Sequence, residues 1–254
     1  MNGTSRPVAL VTGVGRRIGI GATLAEGLAA SGYDVAFSYF GKYDERMPWG
    51  RDTDGPTGIT AVLERHGART LAVDADLEDA LAPAGLFRTV NDALGPVRAL
   101  VMAHCEGVDS GILDTTVDSF DRHFAVNARA TWLLIKAFAE QYDAPFGSGH
   151  IVALTSDHTA HNLPYGASKG ALDRITLAAA EELHHLGLTA NVINPGPIDT
   201  GWMTPDLVRW GTVATPLGRL GTPRDTADLV SFLCSEQGGW INAQLLHSNG
   251  GLKG

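Results

Sequence analysis

The chain has 254 residues, 44% of them hydrophobic and 19% charged, which is enough apolar material for a buried core and too much for a disordered chain. Its 19 basic residues face 28 acidic ones, for a formal charge of −9 with neutral His. That balance argues against nucleic acid and anionic membranes as partners, so an anionic ligand has to be held locally, by a few basic groups or by backbone amides.

Short apolar runs alternate with longer amphipathic segments. Val8–Thr12 is a strand run that ends at Gly13, and Gly21–Ser31 follows with Leu24, Ala25 and Leu28 on one helical face. Strands are predicted at Asp34–Tyr39, Thr70–Val73 and Ala99–Ala103, with helices near Ile59–His66 and Pro83–Leu94 between them. A long helix over Phe120–Tyr142 leads to a strand at His150–Leu154. A second long helix, Tyr165–Leu186, leads to a strand at Thr189–Ile193. A helix over Thr226–Ser235 and a strand over Gln244–His247 close the pattern. Strands alternating with helices predict one α/β domain spanning 1–254, a doubly wound parallel sheet with helices on both faces. Two stretches read as irregular: Gly41–Gly58, rich in Gly, Pro and charge, and Thr200–Arg219, whose Trp202, Met203 and Trp210 suggest a substrate lid or a subunit contact.

The turn from Thr12 to Gly21 joins the first strand to the first helix. Gly13 permits the turn, while Gly19 and Gly21 flank Ile20 and let the backbone approach a pyrophosphate at the helix N-terminus. The second strand ends in Phe37-Ser38-Tyr39-Phe40-Gly41-Lys42, with no acidic residue to bond a ribose 2′-hydroxyl, and Arg16, Arg17 and Lys42 are near in sequence. That combination favours NADP(H) over NAD(H). Asp76 reads either as an acceptor from the adenine amino group or as the cap of a turn.

Tyr165 and Lys169, four apart at the start of a long helix, share one helical face. An ammonium one turn from a phenol is expected to depress the phenol pKa, which suits the phenol to proton exchange with a substrate oxygen. Ser156 follows a strand end, where it would polarise a carbonyl, and Asn127, inside a helix, would hold a water linking Lys169 to solvent.

In that order these residues resemble the short-chain dehydrogenase/reductase family over nearly the whole chain. The matching features are Thr12-Gly13…Gly19-Ile20-Gly21, Asp76-Leu77, Asn127, Ser156, Tyr165-Gly166-Ala167-Ser168-Lys169, Asn194-Pro195-Gly196-Pro197-Ile198-Asp199-Thr200, Gly218–Pro223 and Asn249-Gly250-Gly251. The resemblance implies a Rossmann-like fold and hydride exchange between a nicotinamide and a carbonyl/alcohol substrate, a 3-oxoacyl-type keto reductase being the nearest analogy. It implies Tyr165 as general acid/base, Lys169 as ribose ligand, Ser156 as orienter of the substrate oxygen, Asn127 as holder of the relay water, and Ile198 and Thr200 at the carboxamide. It also implies a homo-oligomer, tetramer or dimer, that pairs the two long helices.

The chain departs from the family pattern in three places. Five residues rather than three separate Gly13 from Gly19; Met102-Ala103-His104-Cys105 stands where the family has Asn-Asn-Ala-Gly; and only eight residues separate Ser156 from Tyr165. The second and third motivate an alternative, a non-catalytic dinucleotide-binding sensor or scaffold, against which the intact Asn127, Ser156, Tyr165 and Lys169 argue. Two cysteines, Cys105 and Cys234, form no disulfide framework or zinc pattern and fit a reducing cytoplasm. His158 with His161, and His184 with His185, lack a third convergent ligand, so no metal is expected. Met1–Pro7 is polar without an apolar signal core, and no stretch has the length of a membrane span.

Overall fold

The computed structural model describes residues 6–252; the polar start at Met1–Ser5 lies outside them. Among the described residues, seven strands run parallel in one sheet: β1 (Val8–Thr12), β2 (Asp34–Tyr39), β3 (Thr70–Asp74), β4 (Val97–Met102), β5 (Gly149–Leu154), β6 (Leu188–Asn194) and β7 (Leu245–His247). Their order is β3-β2-β1-β4-β5-β6-β7. The five inner strands are the continuous apolar runs, because both of their faces are covered; β3 and β7, at the edges, are largely half-exposed or exposed.

Helices α1 (Ile20–Ala30), α3 (Gly55–Arg65) and α9 (Pro223–Leu233) cover one face, where Leu24, Leu28, Leu63 and Val230 pack on Val11, Phe37 and Val101. Helices α4 (Ala82–Leu94), α6 (Ala130–Gln141) and α7 (Leu163–Glu182) cover the other, where Phe87, Leu134, Phe138 and Leu172 pack on Leu10, Leu100 and Ile151. Each fully buried side chain of this size contributes about 1.5–3 kcal/mol. The sheet winds outward in both directions from β1 and β4, so the crevice lies at the carboxyl ends of these strands, where the order reverses.

Several predicted ends move by a few residues, and three segments change in kind. The long helix begins at Val117 as α5 (Val117–His123), widens into a π turn at Phe124–Arg129 and continues as α6. Gly41–Gly58 is not irregular throughout: it forms α2 (Gly41–Arg46) and the start of α3. Thr200–Arg219 contains α8 (Pro205–Ala214), which Thr204 caps by accepting from the Leu207 N–H, with Pro205 at the first helical position.

Candidate active site

Gly13 leaves β1 with φ +76°, and a Cβ there would lie 2.6 Å from the Ala103 carbonyl oxygen. Only glycine lets the turn pass this close to the end of β4. The five-residue spacing is absorbed locally: the Gly19 N–H donates to the Arg16 carbonyl at 3.0 Å, closing a turn that raises Arg16, Arg17 and Ile18 ahead of the α1 N-terminus. Opposite this turn, the β6–α8 connection brings Ile198 and Thr200, both buried, to the crevice. Gly196 crosses Asn249 with φ +65°, directly after Pro195.

The residues expected to transfer a proton converge. Tyr165 and Lys169 stand one turn apart on α7, with the Lys169 Nζ 5.7 Å from the Tyr165 ring centroid. Lys169 is buried, and its Nζ donates to the Leu154 carbonyl at 2.8 Å, at the end of β5. Ser156, two residues further on, lies close enough to the Tyr165 hydroxyl to lower its pKa. Burial outweighs that effect and holds the phenol above its ordinary value; Cys105, Asp109 and Asp157 push the same way. The depression expected from Lys169 is therefore not what this arrangement produces, because the ammonium is directed to a carbonyl and is itself pushed down by burial. The short loop before Tyr165 is tied down rather than open: Leu163 N–H donates to the Ser110 carbonyl at 2.8 Å, and the Asn162 amide donates to Asp109 at 2.6 Å. A Cβ on Gly166 would strike the His158 carbonyl oxygen, so glycine beside Tyr165 is what lets the loop sit on α7.

Asn127 is fully buried in the π turn. Its Oδ1 accepts from the Glu106 N–H at 2.8 Å, and its Nδ2 donates to the Glu106 carbonyl at 2.9 Å and to Ser168 Oγ at 2.9 Å. It thereby clamps the segment after β4 to α7 beside Lys169. His104 supplies a second clamp. Its Nε2 donates to the Val126 carbonyl at 3.0 Å, which leaves Nδ1 to accept from the Thr12 hydroxyl at 2.7 Å. Burial, assisted by Lys169, drives the His104 pKa down to about 3, so the ring is a neutral cross-link between β1 and the π turn. The Met102–Cys105 segment thus holds the central sheet with a histidine.

Sequence reasoning missed several partners because their spacing is not local. Asp173, one turn beyond Lys169 on α7, opposes part of the fall that burial imposes on the Lys169 pKa and lies against Thr155. Arg46 of α2 pairs with the buried Glu106, its Nη1 2.9 Å from Oε1. Acidic groups absent from the Phe37–Lys42 window arrive in space from the next residues. Asp44 lies 3.8 Å from Arg16 Nε, and Asp52 takes Arg17 in two bonds of 3.0 and 3.1 Å. The unopposed positive charge expected around the arginines is therefore corrected: each already carries a carboxylate. Arg16 also donates to the Thr200 carbonyl at 3.0 Å and lies over the Trp49 ring at 4.5 Å. Arg16, Arg17, Trp49 and Asp52 line a cleft of 570 Å³ with Ile18, Arg51 and Gly201. Lys42 is exposed, and Tyr39 is half-buried at the β2 end beside Gly15. Asp76 caps its turn, accepting from the Glu78 N–H at 3.0 Å. Trp202 and Trp210 are exposed, 50% and 59%, rather than folded into the crevice.

The fold and site define a class: a doubly wound sheet with a glycine turn at its switch point and a Ser–Tyr–Lys cluster on the opposite wall. A profile of the family described as "Enoyl-(Acyl carrier protein) reductase" matches residues 13–253. An "Uncharacterized oxidoreductase YjdA" of Bacillus subtilis is 32% identical over 99% of this chain and 98% of its own. An "NADPH-dependent aldehyde reductase-like protein" of Arabidopsis thaliana is 33% identical over 96% and 93%. Among solved structures, a blue fluorescent protein from a metagenomic library, in complex with NADPH, superposes with a TM-score of 0.86 at 32% identity, covering 98% and 99% of the two chains. A short chain dehydrogenase from Burkholderia cenocepacia in complex with NADP gives 0.85 at 31%, covering 98% and 97%. The chain belongs to the short-chain dehydrogenase/reductase family, as its motifs suggested.

Proposed function

We propose that this oxidoreductase interconverts a carbonyl and an alcohol on a small-molecule substrate with NADP(H), in preference to NAD(H). The observation that carries the reading is the meeting of Ser156, Tyr165 and Lys169 at one point of the crevice, with Lys169 anchored to Leu154. Ser156 orients the substrate oxygen, and the Tyr165 hydroxyl gives it a proton or takes one from it. Burial keeps the Tyr165 phenol protonated at neutral pH, and the charges of Lys169 and of a bound oxidised nicotinamide act to bring it toward the working range. Lys169 holds the nicotinamide ribose, and Asn127 keeps the π turn and Lys169's surroundings in place, in a position to hold the relay water.

The residues present fit the dinucleotide. Gly13, Gly19 and Ile20 form a turn closely packed on β4, and Arg16, Arg17, Tyr39 and Thr200 surround its outer end. Pro195, Gly196 and Ile198 face the nicotinamide end, and Asp76 is left to the adenine rim. When bound, the nicotinamide supplies or takes the hydride. NADPH or NADP in the titles of two structural neighbours, and "NADPH-dependent" in the name of the Arabidopsis relative, support the phosphate-bearing cofactor. A 3-oxoacyl-type keto reductase remains the nearest substrate analogy; the matching family description names an enoyl reductase, so what it lends is the acyl carrier protein substrate and not the keto chemistry. Residues 1–254 are proposed as one catalytic unit, with the lid within 200–219, working as a cytoplasmic homo-oligomer. No described helix is long and apolar enough to cross a membrane.

The test is NADPH oxidation over a panel of aldehydes, ketones and 3-oxoacyl thioesters. Turnover of a member of the panel that is lost in Tyr165→Phe supports the reading. NADPH binding without oxidation by any member, and with no change on that substitution, favours the non-catalytic sensor.

A further inference from the structure

The two arginines on the glycine turn are held by acids of a single segment, the strap from α2 to the start of α3. Asp44 and Asp52 meet Arg16 and Arg17 at 3.8 and 3.0 Å. The strap lies directly on the turn: a Cβ on Gly15 would stand 2.5 Å from Asp44 Oδ2, and one on Gly55 would stand 2.3 Å from the Gly15 carbonyl oxygen. Trp49 completes a clip, with its Nε1 donating to Asp44 Oδ1 at 3.0 Å and its face beneath the Arg16 guanidinium. The cleft is therefore lined by three cations, Arg16, Arg17 and Arg51, and the Asp52 carboxylate, with the Asp44 carboxylate buried behind Arg16.

We infer that Asp44 and Asp52 are affinity-setting competitors for the dinucleotide's phosphates: each carboxylate occupies an arginine that a phosphate group uses, and binding exchanges carboxylate for phosphate. The inference rests on the dinucleotide reading above. Two features make the exchange feasible. Arg17 and Asp52 meet at the surface, where an ion pair is worth little and is easily replaced. Arg16 has other partners, Thr200 and Trp49, that keep the guanidinium oriented whichever anion it serves. A 2′-phosphate offers more charge than a carboxylate to the same planar fork, and each phosphate of the pyrophosphate an equal one. The exchange breaks no covalent bond; the released Asp52 carboxylate passes to solvent, and Asp44 keeps the bond from Trp49 Nε1.

The phosphate has two sources on one ligand, the pyrophosphate common to NADH and NADPH and the 2′-phosphate of NADPH alone. The experiment titrates NADPH and NADH separately into the wild type, Asp44→Asn and Asp52→Asn, reading dissociation constants by nucleotide fluorescence. Asparagine keeps the size and the acceptor oxygen and removes only the charge. The expected result is a three- to fivefold tightening, about the range spanned by one exposed ion pair. Tightening of NADPH alone assigns the 2′-phosphate, and tightening of both nucleotides assigns the pyrophosphate. Unchanged or weakened binding in both variants overturns the inference, the latter because it makes the acids supports for the arginines. A second readout is Trp49 emission, taken as the difference from Trp49→Phe, during titration with non-fluorescent NADP+. It changes if Arg16 leaves the clip, and a constant signal through saturation overturns the exchange at Asp44. If wild type binds neither nucleotide, the dinucleotide reading itself fails, a result distinct from binding that ignores the two acids.

Discussion

Tyr165, Lys169 and Asn127 stand on α7 and the π turn, buried or half-buried, and the bonds that place Lys169 and Asn127 run to backbone and hydroxyl groups. Arg16, Arg17, Asp44 and Asp52 stand on the turns and strap across the crevice, and what places them is largely charge. The first region keeps its geometry whatever binds, because moving a buried polar group off its partner costs about 1–3 kcal/mol. In the second, the Arg17–Asp52 pair at the surface gives up its contact cheaply, whereas the more covered Arg16–Asp44 pair is also held by Trp49. Under the proposed function, chemistry that needs fixed distances sits on the first and recognition of a charged ligand on the second.

The largest expected effect tests the rigid side. Tyr165→Phe should lower kcat about a hundred- to ten-thousandfold and leave the NADPH dissociation constant within threefold; equal loss of both would mean that the tyrosine works through binding. Next, His104→Leu removes the clamp between Thr12 and Val126 and should cost about 1–3 kcal/mol by urea unfolding, through the partners left unpaired. It should also change the pH dependence. The unfolded chain takes up the His104 proton from pH 6.5 downward, and the folded chain refuses it until about pH 3. Wild-type stability therefore falls as pH drops through that window, and the variant's falls less steeply. His150, pushed down by burial to about 4, adds to the slope in both proteins.

On the exchangeable side, Arg17→Ala should weaken NADPH about tenfold and NADH less than twofold. A ratio unchanged by this and by Arg16→Ala would place the 2′-phosphate elsewhere. Smallest of all, Glu45→Gln removes the exposed Arg51–Glu45 pair and should change unfolding free energy by less than about 0.5 kcal/mol. A larger loss would show that the strap is as rigid as the opposite wall.

What was legible followed from periodicity and short spacing. The inner strands were read from their apolar runs, and the Tyr165–Lys169 pair needed only 3.6 residues per turn. Thr204-Pro205-Asp206 carried a helix start that went unread inside an apparently irregular stretch. The strap was harder: α2 has only six residues, and α3 opens with Gly55, Pro56 and Gly58, so local propensity argues against both. They form because Gly55 packs on the Gly15 carbonyl and Asp44 against the same turn, contacts some 30 to 40 positions apart in the chain.

Periodicity and side-chain chemistry within a helical turn therefore determined the parallel sheet, the order of its elements along the chain and the pairing of Tyr165 with Lys169 on one helical face. Tertiary structure alone decided the electrostatics. Burial sets the Tyr165 phenol high against the pull of Ser156, a neutral His104 ties β1 to the π turn, and Asp44 and Asp52 reach the arginines. Those outcomes depend on which groups share a low-dielectric volume, and sequence distance does not encode that.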